Sequence, residues 1–449
     1  MAKSARDGLI WDDSYIVLEP KWQREPSTEA ILAVCLKHLG RETPDDFEVS
    51  FLSAGAFNRS YIVESKHAGT KLVMRVSLPV DPRRKTVGEV TTLGWIRSHT
   101  LVPVPRVVTF DDSSDNEIGF EWILMQFVPG TSLLYSWRKM SMLAKEALVK
   151  QVAEYQVQIL RASERLGFGG IGTLTTDRPP KQGPADEGND DPKPEPETEP
   201  VPGRIVSRLF FWGDRFDYDT PRGPFRSSHD WLSSLINIVI KDQEIAIEKE
   251  EDEDDKADYI HAKQVAVRLA GLLPKIFPSI HHPPERSSLW HDDLSLQNIL
   301  VDERGAITAI IDWESLATMP RWVTTQFPDF LSGNSREVQP LRDAYADDDD
   351  EDDGADAQTS LNRDGLDNEG KNELYWINLL EYEQTQLRKV YAQHMCDLWP
   401  DWGLEMVEGA LKMDFLEAVL RCTSGWSVRS LDRWIDEVEG GGFLGLHRL

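Results

Sequence analysis

The sequence predicts an α+β chain, with a strand-rich first part and a larger, mainly helical second part. Three observations predict it. Before Gly130 most apolar runs are short and alternate with period two. After Gly130 long segments repeat their apolar residues every three to four positions. Between residues 289 and 314, LWHDDLSLQNILVDERGAITAIIDWE sets two short apolar runs about a turn signal and flanks them with acids.

In chain order, residues 27–40 (STEAILAVCLKHLG) predict a helix with Ser27 as N-cap and Gly40 as its left-handed end. FEVSFLSAGAFNRSYIVES reads as two alternating strands around a small-residue turn holding Gly55, Asn58 and Ser60. TKLVMRVSL is a third strand, carrying Arg75, and residues 86–99 form an amphipathic helix containing Glu89. PVPRVVTF and EWILMQFV are two more strands, the last leading through Gln126 and Val128 to Pro129-Gly130. The division is expected there, giving domains 1–130 and 131–449. Beyond it, MLAKEALVKQVAEYQVQILRA, WLSSLINIVIKDQEIAIEKE, KQVAVRLAGLLPKIF and most of the chain from Asn372 onward read as helices.

The 449 residues carry a formal charge of −28, and three runs concentrate it. Residues 186–199 and 248–258 each hold −6 and 343–356 hold −9, leaving only −7 on the rest. A mildly acidic body argues against a nucleic-acid groove or an anionic membrane surface as the main partner. Residues 178–203, 248–258 and 343–368 are expected to be disordered acidic insertions. Cys35, Cys396 and Cys422 are far apart, so a reducing compartment is expected rather than a disulfide framework. With no apolar signal core at the start and no run near the roughly 18 residues that span a bilayer, the expected location is cytoplasmic.

The chemistry concentrates in the 289–314 stretch. NILVD and AITAIID predict two strands joined by ERG, with Gly305 at the positive-φ turn position. A hairpin brings its two ends together, so Asp293, Asn298 and Asp312 meet although the two aspartates are 19 residues apart. Phosphoryl transfer needs such a set: a carboxylate to orient or deprotonate the acceptor hydroxyl, and an amide and a carboxylate to hold magnesium on the phosphates.

The pattern H-x-D-x(4)-N, followed by a hairpin and IDW, resembles the aminoglycoside phosphotransferase and choline kinase-like branch of the protein-kinase-like fold. That resemblance implies a bilobal fold, a small β-rich N-lobe and a larger mainly α C-lobe. It implies Mg2+, ATP or GTP as phosphoryl donor, and a small-molecule hydroxyl as acceptor. Asp293 takes the place of the catalytic base, Asn298 and Asp312 those of the metal ligands, and His291 braces the loop; Asp292 stands where the family has glycine. LSAGAFNRSYIV occupies the place of the nucleotide-covering loop, with Gly55 and Asn58 near phosphate. Arg75, held by Glu89, takes the place of the phosphate-binding cation, an arginine where the wider kinase pattern has lysine. The backbone from Gln126 to Val128 is the expected adenine hinge. RGPFRSSHDWL, IIDWE, MPRW and FPDFL look like a fungal-type subgroup.

Three other readings compete. The hairpin can be a solvated acidic turn, with Arg75 and Glu89 a surface ion pair. The chain can be a non-catalytic binding or scaffold relative, which the single-glycine loop and Arg75 favour. HDD can open a His-Asp metal phosphohydrolase site, which the strands that follow and the scattered histidines disfavour.

Overall fold

The computed structural model describes residues 6–14, 18–40, 43, 47–67, 69–176, 199–279, 282–345, 366–423, 428–442 and 445–446. The first part begins with a hairpin, β1 (Leu9–Asp12) and β2 (Glu19–Trp22), and a helix, α1 (Thr28–Leu39). Ser27 caps α1, its hydroxyl accepting from the Ala30 amide at 3.3 Å, and Gly40 ends it at φ +63°. Then follow β3 (Phe47–Ala54), β4 (Asn58–Ser65), β5 (Lys71–Ser77), α2 (Arg84–His99), β6 (Val107–Asp111) and β7 (Glu121–Gln126). The five strands from β3 on form one antiparallel sheet in the order β3-β4-β5-β7-β6.

Strand periodicity divides the work of β5 between two faces. Met74 and Val76 enter a core with Ile31, Val34 and Cys35 of α1 and with Trp122 and Leu124 of β7. Arg75 and Ser77 point the other way, toward α2.

After Gly130 come β8 (Thr131–Ser132), α3 (Leu133–Trp137), α4 (Met142–Arg165), β9 (Leu174–Thr175), β10 (Val201–Pro202), α5 (Arg208–Phe211), α6 (Ser228–Lys249) and α7 (Glu253–Ile276). Next are β11 (Ser287–Trp290), β12 (Ile299–Val301), β13 (Ile307–Ile310), β14 (Ala317–Pro320), α8 (Arg321–Thr324), α9 (Glu373–Leu398), α10 (Trp402–Arg421) and α11 (Val428–Glu439). One core joins α4 and α9 to the β12–β13 hairpin through Leu148, Val152, Leu160, Ile299, Ile310, Trp313, Leu387 and Tyr391. A second joins α6, α7, α10 and α11 through Trp231, Leu235, Leu269, Phe415 and Trp434. Just past the division, β8 pairs with β12 and so anchors the start of the second part to the hairpin. Gly130 makes this junction possible: a Cβ there would lie 2.5 Å from the Thr308 hydroxyl and 3.2 Å from the Val301 carbonyl oxygen.

The acidic segments depart from expectation. Residues 248–258 are not a disordered insertion; they end α6 and begin α7. Asp252 is the N-cap of α7, its Oδ1 accepting from the Asp254 and Asp255 amides at 2.9 and 3.2 Å. Acids are favoured at the positive end of a helix, and Ala262, Val265 and Leu269 bury the face that follows. Of 178–203, residues 178–198 lie outside the described residues, but Val201–Pro202 form β10, paired with β9. Of 343–368, residues 346–365 lie outside them, whereas Asn368 is buried and its carbonyl accepts from the Trp376 indole at 2.8 Å.

A fourth apolar cluster crosses the division at 130. Phe57, Leu78 and Val80 from the first part pack with Val206 and Phe211 from the second, and Phe57 meets Phe211 edge-on at 5.4 Å. No described helix is long and apolar enough to cross a membrane.

Candidate active site

The hairpin forms as its local chemistry requires. Gly305 sits at φ +81°, and Asp302 Oδ1 accepts from the Arg304 and Ala306 amides at 2.9 Å each. At the far end, the Ile311 amide donates to the Asn298 carbonyl at 2.9 Å. The buried His291 donates from Nε2 to the Ile311 carbonyl at 3.1 Å and packs edge-on against Trp313 at 4.7 Å. Burial lowers the His291 pKa, which keeps the ring neutral. Asn298 Nδ2 donates to the Asp293 carbonyl at 2.8 Å and to its Oδ2 at 3.2 Å. Asp312 sits at φ +66°, a left-handed conformation that aspartate tolerates better than most residues, and its carboxylate is partly exposed.

Asp293, Asn298 and Asp312 line a cleft of about 520 Å³ that also includes Gly55, Asn58, Arg75, Arg208, Glu314 and Asp329. Burial raises the Asp293 carboxyl, and the Asp312 and Asp329 carboxylates raise it further. Asp292 opens onto the cleft and has no positive φ, so the absence of a glycine there does not strain the loop. The surrounding protein pushes its carboxyl up to about 6, with Arg208 opposing and Asp293 reinforcing the shift.

Behind the carboxylates lies a buried charge cluster. Arg75 contacts Glu89 at 3.3 Å, Asp312 at 2.5 Å and Glu314 at 3.0 Å. Lys85 reaches Glu314 at 2.6 Å and donates to Asn58 Oδ1 at 2.8 Å, while Asn58 Nδ2 donates to Glu314 at 2.8 Å. Burial works against the Arg75 charge, but Glu89, Glu314 and Asp312 outweigh it and hold the guanidinium protonated. Burial would likewise raise Glu314, yet Lys85 and Arg75 draw it down to about 2. For Glu89 burial wins: its carboxyl rises to about 7 despite Arg75, and its Oε2 has no hydrogen-bond partner among the described residues.

With side chains 13% and 2% exposed, Arg75 and Glu89 are not a surface ion pair. Lys85, Ser77 and Glu314 engage the Asn58 amide, so it braces the cluster. Gly55 lines the cleft but needs no special backbone, since its φ is not positive and a Cβ would meet nothing within 4 Å. Gln126 and Val128 lie outside the residues lining that cleft. The Gln126 amide already donates to the Arg106 carbonyl at 2.8 Å, so it has no proton to give adenine.

Sequence reasoning gave no role to Lys85, Arg208, Glu314 or Asp329. Lys85 had a signal: it precedes Glu89 by four positions on one helix face. Arg208 had none, since the Phe57–Phe211 contact brings α5 to the cleft. Among the described residues the Arg208 guanidinium makes no hydrogen bond or ion pair, which leaves a cation beside Asp292 and Asp293.

Residues 48–323 match the sequence model of a phosphotransferase enzyme family (APH). A subtelomeric hrmA-associated cluster protein of Aspergillus fumigatus is 26% identical over 354 residues, covering 70% of this chain and 66% of that protein. The chain thus spans just under two thirds of that relative's length. The clavilactone A biosynthesis cluster protein Y of Ampulloclitocybe clavipes is 25% identical over 254 residues, 55% of this chain and 54% of that one. Among solved structures, an ethanolamine kinase of Plasmodium vivax superposes loosely, with a TM-score of 0.43 at 12% identity over 90% of this chain and 82% of its own.

Proposed function

The chain belongs to the phosphotransferase enzyme family, and from that premise we propose that it transfers the γ-phosphoryl group of ATP or GTP to a hydroxyl of a small molecule. The observation that carries this reading is the meeting of Asp293, Asn298 and Asp312 at one end of a hairpin, beside the buried Arg75.

Asp293 is the acceptor-orienting group. Its raised pKa suits a carboxylate that accepts the hydroxyl proton as the oxygen attacks phosphorus and the bond to the nucleoside diphosphate breaks. Asn298 anchors that carboxylate through Nδ2, which leaves its Oδ1 toward a cation. Asn298 Oδ1 and the partly exposed Asp312 carboxylate form an all-oxygen donor pair, which fits magnesium. Magnesium held there would neutralise phosphate charge and draw electron density from the bond that breaks. Arg75, fixed by three carboxylates, offers its charge to the phosphates from a set position; Arg208 is the cation free to move with the transferring group. At the hinge the adenine-facing donor falls to the Val128 amide, since those of Gln126 and Phe127 already bond to Arg106 and Lys71. His291 holds the loop to the strand end and takes no part as acid, base or ligand.

Calorimetric titration with ATP and GTP, with and without magnesium, tests the reading, followed by a hydroxylated-acceptor screen with labelled nucleotide. Magnesium-dependent binding with turnover is the expected result. Binding without transfer to any acceptor, or to water, would leave the scaffold reading in its place.

A further inference from the structure

A second cavity, of about 480 Å³, opens on the outer face of α2, away from Lys85 and Glu89. Arg83, Arg84 and Arg204 line it, with Gly88, Thr173 and Gly203; Arg83 is paired with Asp112 at 2.9 Å, and no Asp or Glu is among the described lining residues. In a chain of net charge −28 such a surface is unusual. We propose that this cavity binds a small, multiply charged oxyanion of the phosphate class.

Arg84 and Arg204 are loosely partnered. Behind the cavity lies Asp81, 1% exposed, and it is the carboxylate that Arg84 and Arg204 share. They approach it at 3.7 and 3.8 Å, beyond good hydrogen-bond range, and its Oδ1 has no hydrogen-bond partner among the described residues. Arg204 Nε is likewise buried without one. Arg6 and Arg222 add their fields to the same carboxylate, with Asp217 a further counter-charge to both. Arg204 and Arg84 repel one another and Arg222. Arg84 and Arg204 thus share one buried carboxylate that neither reaches within good hydrogen-bond range, and an incoming oxyanion offers both a closer partner.

The geometry also selects the class. Arg84 is half exposed and Arg204 about a third, so both forks are reachable, and planar guanidinium groups match phosphate oxygens in pairs. The volume suits a pyrophosphate or a phosphorylated small molecule. This site is separate from the nucleotide reading and stands or falls without it.

Inorganic pyrophosphate is the probe, titrated calorimetrically into the full chain with EDTA present. The wild type is expected to bind, and Arg84→Gln/Arg204→Gln to bind at least roughly tenfold more weakly. Hydrogen exchange on the wild type locates the ligand independently of whether that variant folds. Protection of residues 82–88 and 203–206 supports the proposal. Protection confined to 53–60 and 292–314 would assign the ligand to the cleft and overturn it. Unchanged affinity in a folded double variant, or no binding at millimolar pyrophosphate, would also overturn it.

Discussion

Replacing Arg75 by glutamine removes the cation from a buried cluster while keeping most of its bulk. Glu314 retains Lys85 at 2.6 Å and Asn58 at 2.8 Å, and Asp312 is partly exposed. The group left stranded is Glu89, 2% exposed and with one oxygen already unpartnered. Breaking a buried pair this way costs about 3–5 kcal/mol when the remaining charge cannot escape. Glu89 can escape by protonation. Its folded pKa of about 7 is already above its ordinary 4.5, so wild-type stability falls as pH rises from 4.5 to 7 and then levels off. Without Arg75 the folded pKa moves higher and the fall continues, by about 1.4 kcal/mol for each further unit. We therefore expect Arg75→Gln to destabilise by about 2–4 kcal/mol at pH 8 and by about 1 kcal/mol less at pH 6. Adding Glu89→Gln should recover more than half of the loss at pH 8. Urea denaturation followed by tryptophan fluorescence, at both pH values and for all four members of the cycle, measures this. A loss below about 1 kcal/mol that is equal at the two pH values would refute the buried-cluster account.

Asp293→Asn should lower kcat by about 10²–10⁴-fold with nucleotide affinity nearly unchanged; wild-type kcat would remove Asp293 from the chemistry. Asp312→Ala should abolish the magnesium dependence of nucleotide binding, so an unaltered magnesium response in titration would move the metal elsewhere. Glu314, held at about 2 against an ordinary 4.5, contributes stability that is complete above pH 4.5 and lost as pH falls toward 2. Glu314→Gln should flatten that acid limb in denaturation curves, and an unchanged slope would contradict its contacts with Lys85 and Arg75. Asp252→Ala should cost about 1 kcal/mol as a lost helix cap, read from the urea midpoint; no shift would return 248–258 to a solvated loop.

Structure with local causes was legible in the residues alone. Ser27 and Gly40 bound a helix because a hydroxyl and a left-handed glycine act within one turn. Gly305 and Asp302 set the hairpin because the turn is made by its own residues, and closing it brings Asp293, Asn298 and Asp312 together. Strand alternation, with Met74 and Val76 facing α1, leaves Arg75 on the face where Glu89 waits. Composition misled where charge had a local structural use: Asp252 and the acids after it start a helix. Which charges share one buried volume was set by long-range packing. Asn58, Lys85 and Glu314 come from a strand, a helix and the segment after a distant hairpin, and no spacing rule relates them. Arg208 reaches Asp292 and Asp293 because Phe57 packs on Phe211, a contact between residues more than a hundred positions apart. Local propensity acts over a few residues, whereas the field at Glu89 or Asp81 is set by every charge brought within a few ångströms by packing.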